Sequence, residues 1–406
     1  MDRRTLLKLM AAVSVTGCAL RSKEADRLRV VVAGAGIVGA SIAYNLARAG
    51  AAVTVIDRQA PASHASRGTF AWINATWAKQ PRHYHALNQD SVSDWSDWQA
   101  ALGIPVRWGG SLEWFNGQAR TEALAEQIAE QVAWGEPARM VRASELAELE
   151  PALAIDSDVV AAYSPNDGAV DPILATQTLL SAAEQLGAVV QYPSTLTDVQ
   201  MAGGRLTAVK TDTGVIAADR LVLATGADAD APKRFAGIDV PQRTTPGIIA
   251  ITQPMPRLLN RIVAAPGIHM HQRNDGRIVL GEQDGAPDNE AHDARLRNRP
   301  NEFPSPVIGR QHSARMMGIA VQFLPGIAAA EPDSAVIGWR PLPLDGHPVI
   351  GSNPDRQDVY IAIMHSGVSL APIVGQLAAR EIVDRQNVAR LDEYRPDRSF
   401  DYVRRY

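Results

Sequence analysis

The chain has 406 residues, 46% hydrophobic and 21% charged, with a formal net charge of −4. That length exceeds one ordinary core and predicts two or three structural units, while the acidic balance argues against a general nucleic-acid binder, which carries a basic excess. A single cysteine, Cys18, excludes an internal disulfide and a cysteine-built metal cluster.

Residues 1–26 read as an export signal and tether. Arg3 and Arg4, followed by Leu6, Leu7 and Lys8, resemble a twin-arginine signal, and the apolar run at 9–15 suits a signal-peptide core, being too short to span a bilayer. Val15-Thr16-Gly17-Cys18 resembles a bacterial lipoprotein cleavage box, which makes Cys18 the expected lipidation site. The mature protein would then sit on the periplasmic side of a bacterial membrane, anchored to its surface without crossing it. The alternative is a frayed basic terminus on a cytoplasmic protein.

Residues 29–33 (RVVVA) form a β-branched run expected of a buried parallel strand. Gly34-Ala35-Gly36-Ile37-Val38-Gly39 follows at once, residues 40–48 are helical in pattern, Gly50 stands at the expected stop, and 53–56 read as a second strand ending at Asp57. Helices are then expected at 83–102, 122–134, 143–149 and 172–186, and strands at 106–115, 188–192, 206–211 and 221–224. From 241 to about 338, alternating stretches such as 247–252 and 277–280 predict an antiparallel sheet. Proline and charge cluster at 286–306, where an irregular exposed loop is expected. A parallel-type strand at 360–364 and a helix at 370–384 close the chain.

The glycine motif carries the first chemistry. Its first glycine permits a tight turn, its second lets the backbone approach a pyrophosphate, and its third lets helix and strand pack closely. The helix N-terminus offers free N–H groups and partial positive charge to the phosphates. Asp57, with Arg58 after it, ends the second strand where an acid can hold ribose hydroxyls. The motif alone does not separate FAD from NAD.

Later segments, in order, resemble the D-amino-acid oxidase, glycine oxidase and sarcosine oxidase family of flavoenzymes over about residues 29–400. The loop Ala62-Ser63-His64-Ala65-Ser66-Arg67-Gly68-Thr69-Phe70 stands where that family passes a small-residue loop along the pyrophosphate and the flavin ring. Ala224-Thr225-Gly226 resembles its strand end beside FAD, and Leu196 falls where its backbone meets the adenine. Gly338-Trp339-Arg340-Pro341 resembles its GxRP element, and 345–351 the turn after it. His365-Ser366-Gly367-Val368-Ser369 precedes the last helix, whose N-terminus the family aims at the flavin pyrimidine edge.

The resemblance implies an α/β fold, with a Rossmann-like FAD-binding domain of the glutathione-reductase type (27–82, 150–240 and 336–400) and an inserted antiparallel-sheet substrate domain (83–149 and 241–335). It implies hydride transfer from a small amine or amino acid to FAD, followed by imine hydrolysis, with oxygen or a quinone or carrier as electron acceptor. Arg340 is the expected anchor for a substrate carboxylate, because its planar fork binds one bidentately. A structural ion pair beneath the flavin is its other reading.

His269 departs from the family, which often carries a tyrosine there. His269 and His271 alternate onto one strand face, so either both reach the cavity or both are packing residues; no carboxylate partner for a metal is evident. Gln283 and Asp284 are further candidates for the flavin face. His64 raises a covalent flavin link, though non-covalent FAD is expected. Two other readings stay open: an NAD-dependent dehydrogenase, and a non-catalytic or assembly-type flavoprotein.

Overall fold

The computed structural model describes residues 27–76, 79–282 and 301–402. Cys18 and the expected export segment lie outside these residues, as do Gln283, Asp284 and most of the loop expected at 286–306. Among the described residues, no helix is long and apolar enough to cross a membrane.

A six-stranded sheet forms the first half of the molecule, in the order Val349–Asn353, Arg356–Ile363, Arg220–Leu223, Arg29–Ala33, Ala52–Ile56, Val189–Gln191. All neighbours run parallel except the first pair, an antiparallel hairpin. The β-branched run at its centre is covered on both faces, which is why it shows no apolar–polar alternation. Val30 and Val32 point into a core shared with helices Ile37–Arg48, Arg82–Leu102, Pro172–Gln185 and Gly367–Asp384. Val31 and Ala33 point into a second core, under the three-stranded meander Leu196–Ala202, Arg205–Thr211 and Gly214–Ala217. The first and last of those helices touch closely at Gly375, where a Cβ would collide with Ser41 Oγ; Ser41 Oγ also donates to the Ala371 carbonyl at 2.6 Å.

The second half is an eight-stranded sheet in the order Pro332–Pro343, Gln242–Thr252, Ile278–Gly281, Ile268–Gln272, Ile262–Ala265, Ser111–Glu113, Val160–Ser164, Arg139–Arg142. Its pairs are antiparallel except Ile262–Ala265 with Ser111–Glu113. Met270, Ile278, Leu280 and Ala250 on one face pack against Met316 and Ala320 of helix Pro306–Phe323. A small antiparallel sheet of Trp72–Ile73, Gly168–Val170 and Val106–Trp108 stands apart from both large sheets.

Three features differ from the sequence reading. The strand expected at 106–115 breaks at Gly109 and Gly110 (φ 150° and 89°), and its two pieces join different sheets. A Cβ at Gly109 would stand 2.7 Å from the Asn260 carbonyl oxygen, and one at Gly110 would stand 2.6 Å from that of Ser164. The helix Pro306–Phe323 was not anticipated, because its buried positions are Gly309, Ser313, Met316 and Ala320, a stripe too small and polar to read as an amphipathic face. Finally, the division expected at residue 83 cuts helix Arg82–Leu102 from the core that holds it. Trp95 Nε1 donates to the Val368 carbonyl at 3.0 Å and Ser91 Oγ to that of Ser369 at 2.6 Å. Val160–Ser164, placed with the nucleotide segments from sequence, is a strand of the eight-stranded sheet. Apolar pattern marks an element as buried without naming the core it enters.

Candidate active site

Two of the motif glycines, Gly34 and Gly39, are required by a close approach to backbone. A Cβ at Gly34 (φ 115°) would collide with the Ala224 carbonyl oxygen, and one at Gly39 with the carbonyl oxygen of Gly34 itself. Strand end, turn and helix start are therefore wedged together, and helix Ile37–Arg48 begins at the mouth of a cavity of about 760 Å³, a size that suits a large cofactor. Asp57 latches the turn: Oδ2 accepts from the Ala35 N–H at 2.7 Å and Oδ1 from the Gln59 N–H at 3.0 Å. Ser66 Oγ accepts from the Ile37 N–H at 3.0 Å, tying the small-residue loop to the helix start.

Most of the cofactor-binding residues expected from sequence meet in this cavity. Gly34, Gly36, Ile37, Val38, Asp57, Arg58, Ser66, Thr69, Leu196, Ala224, Thr225 and Gly226 line it. His365, Gly367 and Val368 line it too, with Gly367 close to Val38. The others lie one layer back. Ala35 and Gly39 build the turn, and Ser369 Oγ donates to the Trp72 carbonyl at 2.8 Å. Arg67 and Gly68 belong to the loop; a Cβ at Gly68 would collide with Gly338, and one at Gly338 with Gly68, so the loop rests backbone to backbone on the strand that carries Arg340. Sequence reasoning missed Ser194, Thr195, Asp228, Phe235 and Asn301 in the wall. They come from connections with no motif, and only the fold brings them here.

Two buried polar atoms among the cavity-lining residues, Thr225 Oγ1 and His64 Nε2, make no hydrogen bond within the described residues. Such atoms are costly unless a ligand meets them. Burial, and after it the charge of Arg58, lowers the pKa of His64, with Asp57 opposing.

Arg340, His269 and His271 stand on the eight-stranded sheet. Consecutive strand residues face opposite ways, so Trp339 and Pro341 enter the cofactor wall while Arg340 turns to the other face. Arg340 and Trp339 thus face different neighbourhoods. His269, Gly281, Ile249 and Val336 form one cross-strand row on Arg340's face. Phe70 covers that row: a Cβ at Gly281 would stand 3.2 Å from its ring. The Phe70 centroid lies 5.4 Å from that of His269 and 4.7 Å from that of His271, and Trp72 lies 5.8 Å from His269.

Burial, then the charge of Arg340, brings the pKa of His269 down to about 3. Burial, then Arg340 and Lys79, brings His365 to about 3 as well. Burial, then Arg273, does the same for His271, against the bond between its Nε2 and the Phe70 carbonyl at 3.0 Å. All three rings are neutral in ordinary buffers, and Arg340 supplies positive charge to the region around His269 and His365.

With this geometry in place, residues 29–381 match the family model described as FAD dependent oxidoreductase. The chain belongs to that family. Family membership sets aside the NAD-dependent reading and makes the chain an FAD-dependent oxidoreductase. It is 29% identical over 391 residues to the uncharacterized oxidoreductase YurR of Bacillus subtilis, covering 90% of this chain and 98% of that one. It is 24% identical over 379 residues to a glycine oxidase of Geobacillus kaustophilus, covering 89% and 94%. A solved glycine oxidase from Geobacillus kaustophilus superposes with TM-score 0.81 at 23% identity, covering 92% of this chain and all (100%) of that one, a likeness of fold. The cavity and its orphaned polar atoms fit the family's FAD.

Proposed function

We propose that this oxidoreductase oxidises the C–N bond of a small amino acid or related carboxylate-bearing amine. The observation that carries the reading is the placement of Arg340. It projects from the sheet face covered by Phe70, on the strand that touches the flavin loop at Gly338, and acts on two neutral histidines. The similarity to a glycine oxidase supports the same substrate class.

When bound, FAD supplies the hydride acceptor, N5. The protein's own part is positioning. The Arg340 fork holds the carboxylate bidentately, and Phe70 and Trp72 exclude water from that face. Neutral His269 can accept or donate a hydrogen bond without adding a charge that would repel a protonated amine. The amine releases its proton to solvent before the C–H breaks, so its lone pair can assist, and the imine product hydrolyses in water to a carbonyl compound and free amine or ammonia. The flavin is held without a covalent bond, and acid precipitation should leave the yellow colour in the supernatant; a yellow pellet would point to a link, with His64 as the first residue to check.

The test is anaerobic mixing with a panel of amino acids, N-methyl amino acids and amines lacking a carboxylate. Carboxylate-bearing members should bleach the flavin; bleaching only by amines without one would remove Arg340 from the site, and no bleaching at all would favour a non-catalytic flavoprotein. Repeating the turnover with oxygen and with a quinone identifies the acceptor. We further propose export and lipidation at Cys18, which labelled fatty acid should report and Cys18→Ala should abolish.

A further inference from the structure

Lys79 is a buried cation that the chemistry above does not use. Lys79 is 4% exposed, and its Nζ donates to Ser366 Oγ at 2.7 Å. The Tyr84 hydroxyl donates to the same oxygen at 3.0 Å, and the ammonium lies 5.4 Å from the Tyr84 ring centroid. Ser366 is the N-cap residue of helix Gly367–Asp384. Serine at that position ordinarily turns its oxygen onto the first-turn N–H groups of its own helix. Here it makes no such bond; its oxygen instead accepts from Lys79, just before helix Arg82–Leu102, and from Tyr84 in the first turn of that helix. The helix start thus faces the cavity, whose wall includes Gly367 and Val368, without its own serine in the way. Lys79 also acts on this corner at a distance, since its charge contributes to lowering the pKa of His365, another residue of the cavity wall.

We propose that Lys79 is a positioning residue for the bound flavin: it draws the Ser366 hydroxyl off the helix end and adds a full positive charge there, so that negative charge on the ring is favoured. The inference rests on the assignment of the ring to this end of the cavity. Reduction by two electrons and one proton leaves the ring anionic, and a fixed cation nearby stabilises that product relative to the neutral oxidised ring. A helix end alone carries about half a charge, so a full charge beside it is a comparable or larger contribution. Lys79 is not a ligand of the substrate in this scheme; it acts through Ser366 and through its field.

The experiment is equilibration of the holoenzyme with a reference redox dye, which reads the flavin couple and not turnover. In Lys79→Met, the equilibrium constant for flavin reduction by the dye should fall roughly tenfold or more, with the flavin still bound. Lys79→Arg keeps the charge and should stay within about threefold of the parent. An unchanged constant in Lys79→Met overturns the proposal, and so does an arginine variant that falls as far as the methionine one, since packing would then explain both. Should Lys79→Met lose its flavin, the arginine variant must still hold it with the parent's constant, and failure there overturns the proposal too. A parent protein that takes up no flavin would instead defeat the cofactor assignment.

Discussion

The guanidinium of Arg340 occupies space left by the missing side chain of Gly247 on the neighbouring strand: a Cβ there would stand 2.9 Å from Arg340 Nε and 3.0 Å from Nη2. On the proposed role of Arg340, Gly247 sets where the carboxylate anchor can stand. Gly247→Ala should displace the guanidinium, which is flexible enough to move, and leave the fold intact. We expect KM for carboxylate substrates to rise roughly tenfold, in line with the loss of one charge-assisted hydrogen bond, with FAD content unchanged. Arg340→Ala should cost more by the same measure. Steady-state kinetics beside flavin absorbance would check both, and an unaltered KM in Gly247→Ala would show that the guanidinium's place is immaterial.

Gly39 makes the sharper test of the nucleotide site. Its Cβ would meet the Gly34 carbonyl oxygen, which is backbone and cannot swing aside. Gly39→Val should therefore yield protein largely free of flavin, while the eight-stranded sheet, built on a separate core, is retained. The ratio of flavin to protein absorbance in the purified variant reads this directly, and a fully yellow variant would contradict the close-packed turn.

Asp167 gives a pH prediction. It is fully buried, and burial raises its pKa to about 7, against the hydrogen bonds that Ser111 Oγ (2.6 Å) and Trp72 Nε1 (2.9 Å) donate to Oδ2. The folded pKa lies above the unfolded one, so the unfolded chain ionises first as pH rises. Stability should fall between about pH 4 and pH 7 and level off beyond, by up to about 4 kcal/mol from this group. Asp167→Asn keeps an acceptor for both donors and removes the ionisation. The variant's melting temperature relative to the parent's should climb over that interval. A constant difference would mean that Asp167 is ionised throughout in the folded protein.

His269 behaves in the opposite sense. Its folded pKa of about 3 lies below the ordinary imidazole value of about 6.5, so the unfolded chain takes up the proton first, and stability is lost as pH falls from about 6.5 toward 3. His269→Gln should be less acid-sensitive than the parent over that range, and denaturant titrations at several pH values would show the gap narrowing. The ring's neutrality also implies that the limbs of the kcat/KM profile at neutral pH belong to the substrate amine or to groups other than His269.

The nucleotide half was readable because its rules are local. The β-branched strand at 29–33, Gly34, Gly39 and Asp57 each answer to a backbone requirement that the structure shows. Arg340 was readable through its neighbours in the GxRP segment, but its companions were not. His269 meets it only across intervening strands, and Phe70 reaches both histidines from a loop about 200 positions earlier in the chain. Lys79 gave no signal at all: a lysine between Ala78 and Gln80 reads as surface, and only the packing of helix Arg82–Leu102 beneath Ser366 explains its burial. Pairings set by core packing rather than by turn chemistry have no signature in a single chain.

The contact of Gly68 with Gly338 joins two stretches far apart in sequence without a side chain between them. It behaves as a rivet, with no compliant material to deform. Cofactor and substrate platforms must then move as one piece, and access for a bulkier molecule has to come from trimming Phe70 or Trp72 rather than from the halves swinging apart. A widened specificity should accordingly be reachable by replacing those two rings, whereas loosening the rivet would forfeit both platforms together.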